Sequence, residues 1–505
     1  MKKAHSIKLI SLAAIVLLFA ACSKSFVDID PQGVFAADTY YKDQQQAFTG
    51  LVATYDIMRK NSGGFENMIT FMNAGSDDNY AGGGGESDGV GIQSFSNHTV
   101  NAETMPGSYW GDHYQGIFRA NTLLQKLPNT QMDENLKARF VGEAKALRAI
   151  YYFNLVRMFK NIPLILEPVE TSDIYNIKQT SSDSIYNQIE KDLTEAIPAL
   201  PATVPLPTEG GRITKVAAEA MLGKVYIYDN KPQLAVPLLA DVNGSTPGQP
   251  NAYGNSLLTN FKDLWVFTNK FNSESILEVT HSNQVFLGDW SLWGSSSDES
   301  NTVDQMVGPR SYTRLSPDAP DIYPAGWSFN VFTQDFYDAI KNDPRFSATV
   351  FDAKALEDAG LITYVYGYQN TGYFLNKFIP MPSDKATVGS AELNFQGDSY
   401  VIRLADTYLL EAEALGASGP RAQALLDAVR ARVGLPSVPV SMNAIKNERR
   451  FELAGEGHRF FDLVRWGDAA TKLANRGFTA GKSEILPIPA SELKGTLLVQ
   501  NPGYE

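Results

Sequence analysis

Apolar residues recur every three or four positions along much of the chain, the spacing expected of helices with one buried face. The strongest such pattern runs from Asn135 to Phe159, with Pro163 as a stop. Ser182 or Asp183 is expected to cap another helix, and Thr214 the next. The same signals predict helices at about 38–60, 110–127, 182–196, 214–228, 400–415, 420–433 and 441–455. Pro and Gly between them indicate antiparallel helical hairpins stacked together.

Two segments break this helical pattern. Residues 73–104 and about 247–399 are rich in Gly, Ser, Asn, Asp, Tyr and Trp. The second contains the strand-like runs Ile276–Thr280 and Ile362–Tyr368. We therefore predict a helical scaffold, mainly at 39–240 and 400–475, that carries two long irregular segments. Irregular segments of this length in a compact protein usually carry function.

The first 22 residues predict export and lipidation. Lysines follow the initiator Met, an apolar run extends from Leu9 to Phe19, and two alanines precede Cys22. We expect a signal peptide at 1–21, lipidation at Cys22, a leader at 22–38 and one domain at 39–505. The alternative is an ordinary signal peptide with an incidental cysteine. Cys22 is the only cysteine, so the chain cannot form an internal disulfide.

Charge narrows the choice of partners. Removing residues 1–21 takes away three lysines and no acids, which leaves 40 basic and 56 acidic side chains and a net charge of −16. This balance argues against a nucleic-acid partner, because phosphate binding needs clustered Lys and Arg. A polybasic contact with anionic lipid is also absent from the sequence, so membrane attachment would rest on the lipid at Cys22.

Several motifs, in order along nearly the whole mature chain, resemble the SusD/RagB family of outer-membrane glycan-binding lipoproteins. Any one of them is weak evidence, but the ordered set is specific. The chain departs from the family pattern near Lys160 and Asn161, where the family usually has Gly. The motifs are KDQQQAFTGLVATYDIM, GEAKALRAIYYFNLVRMFKNIPLI, GRITKVAAEAMLGKVYIY, NDPRF, YVIRLADTYLLEAEAL, NERRFELAGEGHRFFDLVRWG, ILPIPASEL and QNPGY.

The resemblance implies a mainly α-helical, SusD-like fold of tetratricopeptide-like hairpins, with long irregular loops and a few short strands. It also implies a shallow oligosaccharide site and no catalytic chemistry or cofactor. The protein would act as a lid on a SusC-like TonB-dependent barrel transporter, anchored in the outer membrane and facing the cell exterior. The segment after Cys22 is only weakly acidic, so the sequence indicates the outer membrane more strongly than the outward face.

Glu448, Glu452 and Glu456 recur at intervals of four residues on one predicted helical face. Like charges at this spacing repel, so the face must meet cations. A glycosidase interpretation would make two of these acids an acid–base pair. We favour a structural Glu–Arg network, because catalytic carboxylates usually lie on separate elements that flank a cleft. The available partners are Arg430, Arg432, Arg449, Arg450, Arg459 and Arg465.

The loop Ser76–Asp88 places four acidic residues around a run of four glycines. Clustered oxygens could hold calcium, but the spacing differs from that of an EF-hand loop. A phosphate-binding loop would need a Gly-Lys-Ser/Thr sequence that does not follow. We therefore predict no metal and a mobile loop in which Asp78, Asn79 and Tyr80 contact ligand. In the family that the chain resembles, this region supplies ligand contacts.

Aromatic residues in the second irregular segment are the other predicted ligand contacts. Trp290 and Trp293 lie in a Ser- and Gly-rich stretch that favours display over burial, although core packing is the alternative. An exposed aromatic ring can pack on the apolar face of a sugar while nearby polar groups bond its hydroxyls. Tyr312 and Trp327 are further predicted contacts, with Tyr323 and the loop residue His98 as weaker ones.

Three functions from different classes remain open from the sequence. The first is glycan capture for a TonB-dependent transporter. The second is a surface glycoside hydrolase that uses loop carboxylates such as Asp77, Asp78 or Asp298. The third is a lid for a transporter of non-glycan cargo such as peptides. The sequence does not name the glycan, because loop shape sets linkage and monomer specificity.

Overall fold

The protein is described by a computed structural model covering residues 40–170, 172–284, 298–323 and 325–505. The predictions for the signal peptide, Cys22 and the leader lie outside these residues. Helices dominate the described chain. They are α1 (Gln44–Gly63), α2 (Met68–Ala74), α3 (Val90–Ser96), α4 (Ser108–Lys126), α5 (Glu134–Phe159), α6 (Ser182–Ala196), α7 (Leu206–Glu209), α8 (Lys215–Tyr228), α9 (Pro232–Asn243), α10 (Val303–Met306), α11 (Gln334–Ile340), α12 (Phe346–Thr349), α13 (Ala353–Asp358), α14 (Leu404–Ala414), α15 (Gly419–Arg432), α16 (Met442–Glu452), α17 (Arg459–Arg465), α18 (Ala469–Lys472) and α19 (Ala490–Leu493).

The longer helices form a continuous stack of neighbours. Helix α1 packs on α4, α4 on α5, α5 on α6, and α6 on α8. The series continues through α9 and α14 to α15. Each hairpin leaves an apolar face that the next hairpin covers, so the repeats share one core. The predicted mainly α-helical scaffold is confirmed. Among the described helices, none has the length and apolar character needed to cross a bilayer.

Polar caps set the helix boundaries close to the predicted positions. Thr214 caps α8 as predicted, accepting a hydrogen bond from the Ala217 amide at 3.2 Å. Helix α6 is capped one residue earlier than predicted, by Ser181. Helix α16 begins after Ser441 but ends at Glu452, short of the predicted residue 455. Gly455 has φ +77°, a left-handed conformation that an α-helix cannot contain.

The predicted helix at 400–415 is wrong at its start. Residues Ser399–Arg403 form a strand that pairs antiparallel with Ser275–Val279, and α14 begins only at Leu404. Pairing with a distant strand has overridden the local helical periodicity there. The strand-like runs near 276 and 362 are confirmed. The strands are β1 (Ser275–Val279), β2 (Arg310–Arg314), β3 (Val350–Asp352), β4 (Ile362–Val365), β5 (Tyr373–Leu375) and β6 (Ser399–Arg403), which form the pairs β1–β6, β2–β4 and β3–β5.

Both irregular segments contain more helix than the sequence indicated. Helix α3 lies within 73–104, and α10 to α13 lie within 247–399. These helices have four to seven residues, too short for a periodic pattern to stand out. Helix α9 was also not predicted. It has Pro232 at its N-terminus, where proline is favourable, and Pro237 inside it, where proline is unusual.

The departure from the family pattern near Lys160 lies in the turn after α5, where the backbone conformation favours glycine. Lys160 has φ +63° and ψ −84°, a conformation that only glycine adopts without strain. We expect Lys160→Gly to stabilise the protein by about 1 kcal/mol, the relieved strain less the added entropy of the unfolded chain. Thermal unfolding measures this change. Lys160→Ala keeps the strain and should not raise the melting temperature.

A buried carboxyl pair lies behind the β1–β6 sheet. Glu278 on β1 is beside Asp398, whose carboxylate accepts hydrogen bonds from Lys270 Nζ at 2.5 Å and the His281 amide at 2.9 Å. Burial, and secondly the charge of Asp398, raises the pKa of Glu278 from 4.5 to about 8. Folded Glu278 therefore keeps a proton that the unfolded chain releases between these two values.

This pair predicts a pH dependence of stability. The folded state binds the extra proton, so the free energy of unfolding should decrease as pH rises from about 4.5 through about 8. Glu278→Gln removes this titration, so its stability relative to the parent should increase as pH rises through about 8. Denaturant unfolding at pH 5 and pH 9 measures the effect. The exposed change Glu134→Gln is the control, and a parallel pH dependence in both variants would contradict the assignment.

Candidate functional site

The three glutamates at four-residue intervals lie in a buried ion-pair network. Glu448, Glu452 and Glu456 are all buried, and Glu456 lies beyond the end of α16. Arg430 pairs with Glu448 at 2.8 Å, and Arg432 bonds Glu452, as predicted. Burial would raise the pKa of Glu452, but Arg432, Arg403 and Arg345 hold it well below its usual range. The predicted structural network is thus confirmed for these glutamates.

Some partners in the network differ from the predicted ones. Arg345 bonds Glu448 at 2.6 Å and Glu452 at 3.0 Å, which gives the NDPRF motif a structural role. Arg403 bonds Glu452 at 2.6 Å and Glu456 at 2.8 Å. Sequence reasoning missed both arginines because they are distant along the chain. The other four predicted arginines pair with other acids. Arg449 bonds Asp406 and Asp462, and Arg450 bonds Asp78 and Asp335. Arg459 bonds Asp77, and Arg465 bonds Glu413 and Asp462.

The acidic part of the 76–88 loop is fixed to the scaffold by these arginines. Arg450 pairs with Asp78 at 2.7 Å, and Arg459 pairs with Asp77 at 2.8 Å. Asp78 and Asn79 are each 1 % exposed. The Asn79 amide donates to the Asn330 carbonyl at 2.8 Å. The two side chains hold the loop in place and offer no accessible surface to a ligand, which corrects the expectation of direct contact.

Tyr80 differs from its two neighbours because it remains half-buried. Its ring lies under the Arg476 guanidinium, 4.7 Å from the ring centroid. Arg476 also donates hydrogen bonds to the carbonyls of Ser76 and Asn79 at 3.0 and 2.9 Å. The arginine thus keeps this part of the loop ordered, and Tyr80 stays a predicted ligand contact.

The glycine run that follows Tyr80 packs closely against two other loops. Gly82 has φ +69°, and a Cβ there would lie 2.1 Å from the Ser328 carbonyl oxygen. The Gly83 amide donates to that oxygen at 2.8 Å, and the Gly83 carbonyl accepts from the Tyr368 amide at 2.8 Å. Glycine is required here by close backbone approach, not by phosphate binding.

Arg310 on β2 connects the glycine run to Trp327. Its guanidinium lies 3.5 Å from the Asp88 carboxylate and donates to the Trp327 carbonyl at 3.0 Å. Asp88 also accepts a hydrogen bond from the Gly84 amide at 2.6 Å. The Trp327 ring is half-buried and lies 6.5 Å from Phe65. The first irregular segment is therefore joined to the second.

The antiparallel β2–β4 pair continues from Arg310, which lies opposite Val365, the residue before Tyr366. Tyr312 on β2 is half-buried and donates to the Pro320 carbonyl at 2.5 Å. Tyr366, just after β4, is 62 % exposed, and its ring lies 5.1 Å from that of Tyr364. Its hydroxyl donates to Glu357 at 2.5 Å. We call the set of Gly82–Gly85, Asp88, Arg310, Tyr312, Trp327 and Tyr366 the aromatic hairpin surface.

The predicted site residues other than Tyr80 fall into three groups. Tyr312 and Trp327 belong to the aromatic hairpin surface, while Asp78 and Asn79 support the loop that forms its edge. Trp290 and Trp293 lie outside the described residues. Sequence reasoning missed Tyr366, although three tyrosines alternate at positions 364, 366 and 368 of a recognised strand-like run. Alternation on a strand places Tyr366 on the face of Tyr364, but its exposure needed the tertiary structure.

The remaining candidate residues have structural surroundings. His98 is buried, and burial followed by the charge of Arg476 lowers its pKa to about 4. Asp298 is also buried and accepts hydrogen bonds from Ser300. Within the described ranges, no group of three or more His, Cys, Asp or Glu residues could hold a metal ion. The side chains described at the site offer aromatic rings and hydrogen-bonding groups, among them Tyr366, Asp88 and Arg310.

Comparison with families of known proteins gives two matches along the chain. A family described as the SusD family matches residues 332–485. A second, described as starch-binding and associating with the outer membrane, matches residues 66–227. A curated relative, SusD-like protein P25 of Formosa agariphila, is 25% identical over 529 aligned residues and covers 95% of each chain.

Solved structures give a higher identity. A laminarin-binding SusD-like protein is 59% identical, covering 92% of this chain and 100% of its own, with a TM-score of 0.90. Surface glycan-binding protein A from Bacteroides thetaiotaomicron is 25% identical, covering 92% and 100%, with a TM-score of 0.81. The same protein in complex with laminarihexaose has a TM-score of 0.80, with 25% identity and coverage of 91% and 99%.

Proposed function

Because the chain belongs to the SusD family, we propose that it binds laminarin or a similar polysaccharide at the outer membrane, using the aromatic hairpin surface. The observation that carries the proposal is the 59% identity to a laminarin-binding protein across 92% of this chain. A sequence identity of 59% over the whole fold favours a related ligand more strongly than an identity of 25% does.

The chemistry of the aromatic hairpin surface supports this proposal. A pyranose ring has an apolar face of C–H groups that packs on a tyrosine or indole ring, while its hydroxyls need hydrogen-bonding partners. Tyr366 offers an exposed ring, and Asp88 and Arg310 lie at the glycine-run edge of the same surface. We include Tyr80, Trp290 and Trp293 in the proposed contacts. A shallow, solvated site of the kind that the family resemblance implies would bind with micromolar to millimolar affinity.

Delivery to a transporter completes the proposal. We propose that the protein is lipidated at Cys22, faces the cell exterior and passes the glycan to a SusC-like TonB-dependent transporter. Several acyl chains anchor a protein stably, at about 0.8 kcal/mol per buried methylene. The anchor would keep the protein near its transporter, raising the effective concentration without a tight binary complex.

Calorimetric titration against a panel of glycans tests the binding proposal. We expect saturable binding of laminarin oligosaccharides and at least tenfold weaker binding of starch oligosaccharides, since pocket shape selects linkage. Binding to peptides with no response to any glycan would favour the alternative role in peptide transport. Equal binding of every glycan would contradict the laminarin assignment.

We propose that the protein is not an enzyme, and reducing-end analysis tests this separately. Incubation with laminarin should release no new reducing ends. The hydrolase alternative predicts steady release that Asp77→Asn or Asp298→Asn abolishes. Asp77 pairs with Arg459 and Asp298 is buried, and this supports a structural role for both. Glycosidase acids flank the scissile bond from two sides of a cleft.

A further inference from the structure

A groove of about 600 Å³ lies between α4, the connection that follows α5, and the C-terminal segment. Its lining is mainly apolar and includes Phe118, Ile165, Val169, Ile174 and Leu498. None of its lining residues belongs to the aromatic hairpin surface. The groove is therefore a second feature of the molecule, and its interpretation does not depend on the glycan proposal.

The groove and its rim expose large apolar side chains together. Phe118 is 52 % exposed and Ile174 is 49 % exposed, although both line the groove. The adjoining residues Tyr175, Leu497 and Val499 are exposed as well. A contiguous exposed apolar surface of this kind is typical of a protein-binding site.

Buried polar groups hold the walls of the groove in position. The Tyr152 hydroxyl bonds both the carbonyl and the amide of Ile165 at 2.7 Å. The Asn121 amide donates to the Ile165 carbonyl at 2.9 Å, and the Tyr114 hydroxyl donates to the Pro163 carbonyl at 2.8 Å. On the other side, the Leu497 amide donates to the Tyr175 carbonyl at 3.1 Å. A preformed groove loses little conformational entropy when it is filled.

The charged groups of the groove indicate what would fill it. Glu170 and Glu492 line it, and neither forms an ion pair with another described residue. Burial raises the pKa of Glu492, so a nearby cation would stabilise its ionised form. Glu167 and Asp173 are exposed on the same connection. The groove therefore complements apolar side chains flanked by positive charge.

We propose that this groove docks an extended segment of a partner protein, with apolar side chains in the groove and a Lys or Arg beside Glu170 or Glu492. Two other occupants fit the charge less well. Residues 22–39 of this chain contain three aspartates and a single lysine, Lys24. A second copy of the chain carries a net charge of −13 before processing, which opposes self-association on an acidic rim.

Fluorescence polarisation with two labelled peptides, KKLFVILKK and EELFVILEE, tests the proposal on the mature protein. We expect the lysine-flanked peptide to bind at least tenfold more tightly. Phe118→Asp should weaken its binding at least tenfold. Leu315→Asp, a change at a similarly exposed apolar residue that follows β2, should not. The double variant Glu170→Lys, Glu492→Lys should reverse the preference between the peptides. This variant changes only side chains at the groove surface, so it keeps the test valid if Phe118→Asp fails to fold.

Four outcomes would overturn the proposal. The first three are equal binding of the two peptides, no binding of either peptide, and equal losses of binding in the Phe118 and Leu315 variants. The fourth is evidence that another part of this chain, or a second copy of it, occupies the groove. Sedimentation that shows a dimer dissociated by Phe118→Asp would assign the groove to a second copy. Peptide binding that appears only after deletion of residues 22–39 would assign it to the leader. Laminarin titration of the Phe118 variant and of the Glu170 and Glu492 double variant should be unchanged, because these residues line the groove and lie outside the aromatic hairpin surface.

Discussion

Replacing Tyr366 by alanine is expected to weaken laminarihexaose binding about tenfold, equivalent to roughly 1.4 kcal/mol. The tyrosine ring is 62 % exposed, and Tyr364 supports it from the side at 5.1 Å between ring centroids. Its removal takes away a surface on which a sugar face can pack, while the glycine run and Arg310 remain in place. Calorimetric titration with the hexasaccharide measures the loss.

Tyr175→Ala is the matched control for this experiment. Tyr175 is 52 % exposed but adjoins the groove beside α4, so its loss should leave glycan affinity unchanged. Both variants should melt within a few degrees of the parent, because surface substitutions usually change stability by less than about 0.5 kcal/mol. Unchanged affinity in the Tyr366 variant would remove the aromatic hairpin surface as the binding site.

Replacing Arg403 by methionine is expected to destabilise the protein by about 3–5 kcal/mol. Arg403 is 1 % exposed and bonds three carboxylates, those of Glu274, Glu452 and Glu456. Methionine fills much of the space but leaves buried negative charges without this partner. Arg432 and Lys377 pair with some of them but cannot replace all of the lost bonds. Denaturant unfolding measures the change.

Lys354→Met provides the comparison with an exposed ion pair. Lys354 and Asp358 are 2.7 Å apart, and both side chains are more than half exposed. Its loss should leave the denaturant midpoint almost unchanged, because water screens such pairs. If the Arg403 and Lys354 variants were destabilised equally, the buried network would not have the structural role assigned to it.

The Glu–Arg network shows how far sequence reasoning reached. Glu448, Glu452 and Glu456 had to meet cations, since their spacing places like charges together. That requirement predicted a network and two of its arginines, Arg430 and Arg432. It did not predict Arg345 or Arg403, which lie 103 residues from Glu448 and 49 residues from Glu452 along the chain. Charge balance can be inferred locally, but its partners depend on how distant elements pack.

The site shows a sharper limit. Composition predicted function in the two irregular segments, and the structure joins these segments through Gly83, Ser328 and Tyr368. Residue type alone could not separate Asp78, which pairs with Arg450, from a ligand-binding aspartate. Residue type also could not show that Tyr366 is exposed whereas Tyr364, two positions earlier in the chain, is buried.

The sequence by itself determined the helical scaffold, most helix boundaries and the family resemblance, because these depend on local periodicity, capping residues and ordered motifs. Tertiary structure decided the pairing of β1 with β6, the partners of the buried charges, the exposure of Tyr366 and the groove beside α4. The physical reason is that burial and pairing are properties of segments brought together from distant positions. A residue's own neighbours along the chain set its backbone preference, whereas its solvent exposure and its partners depend on the complete fold.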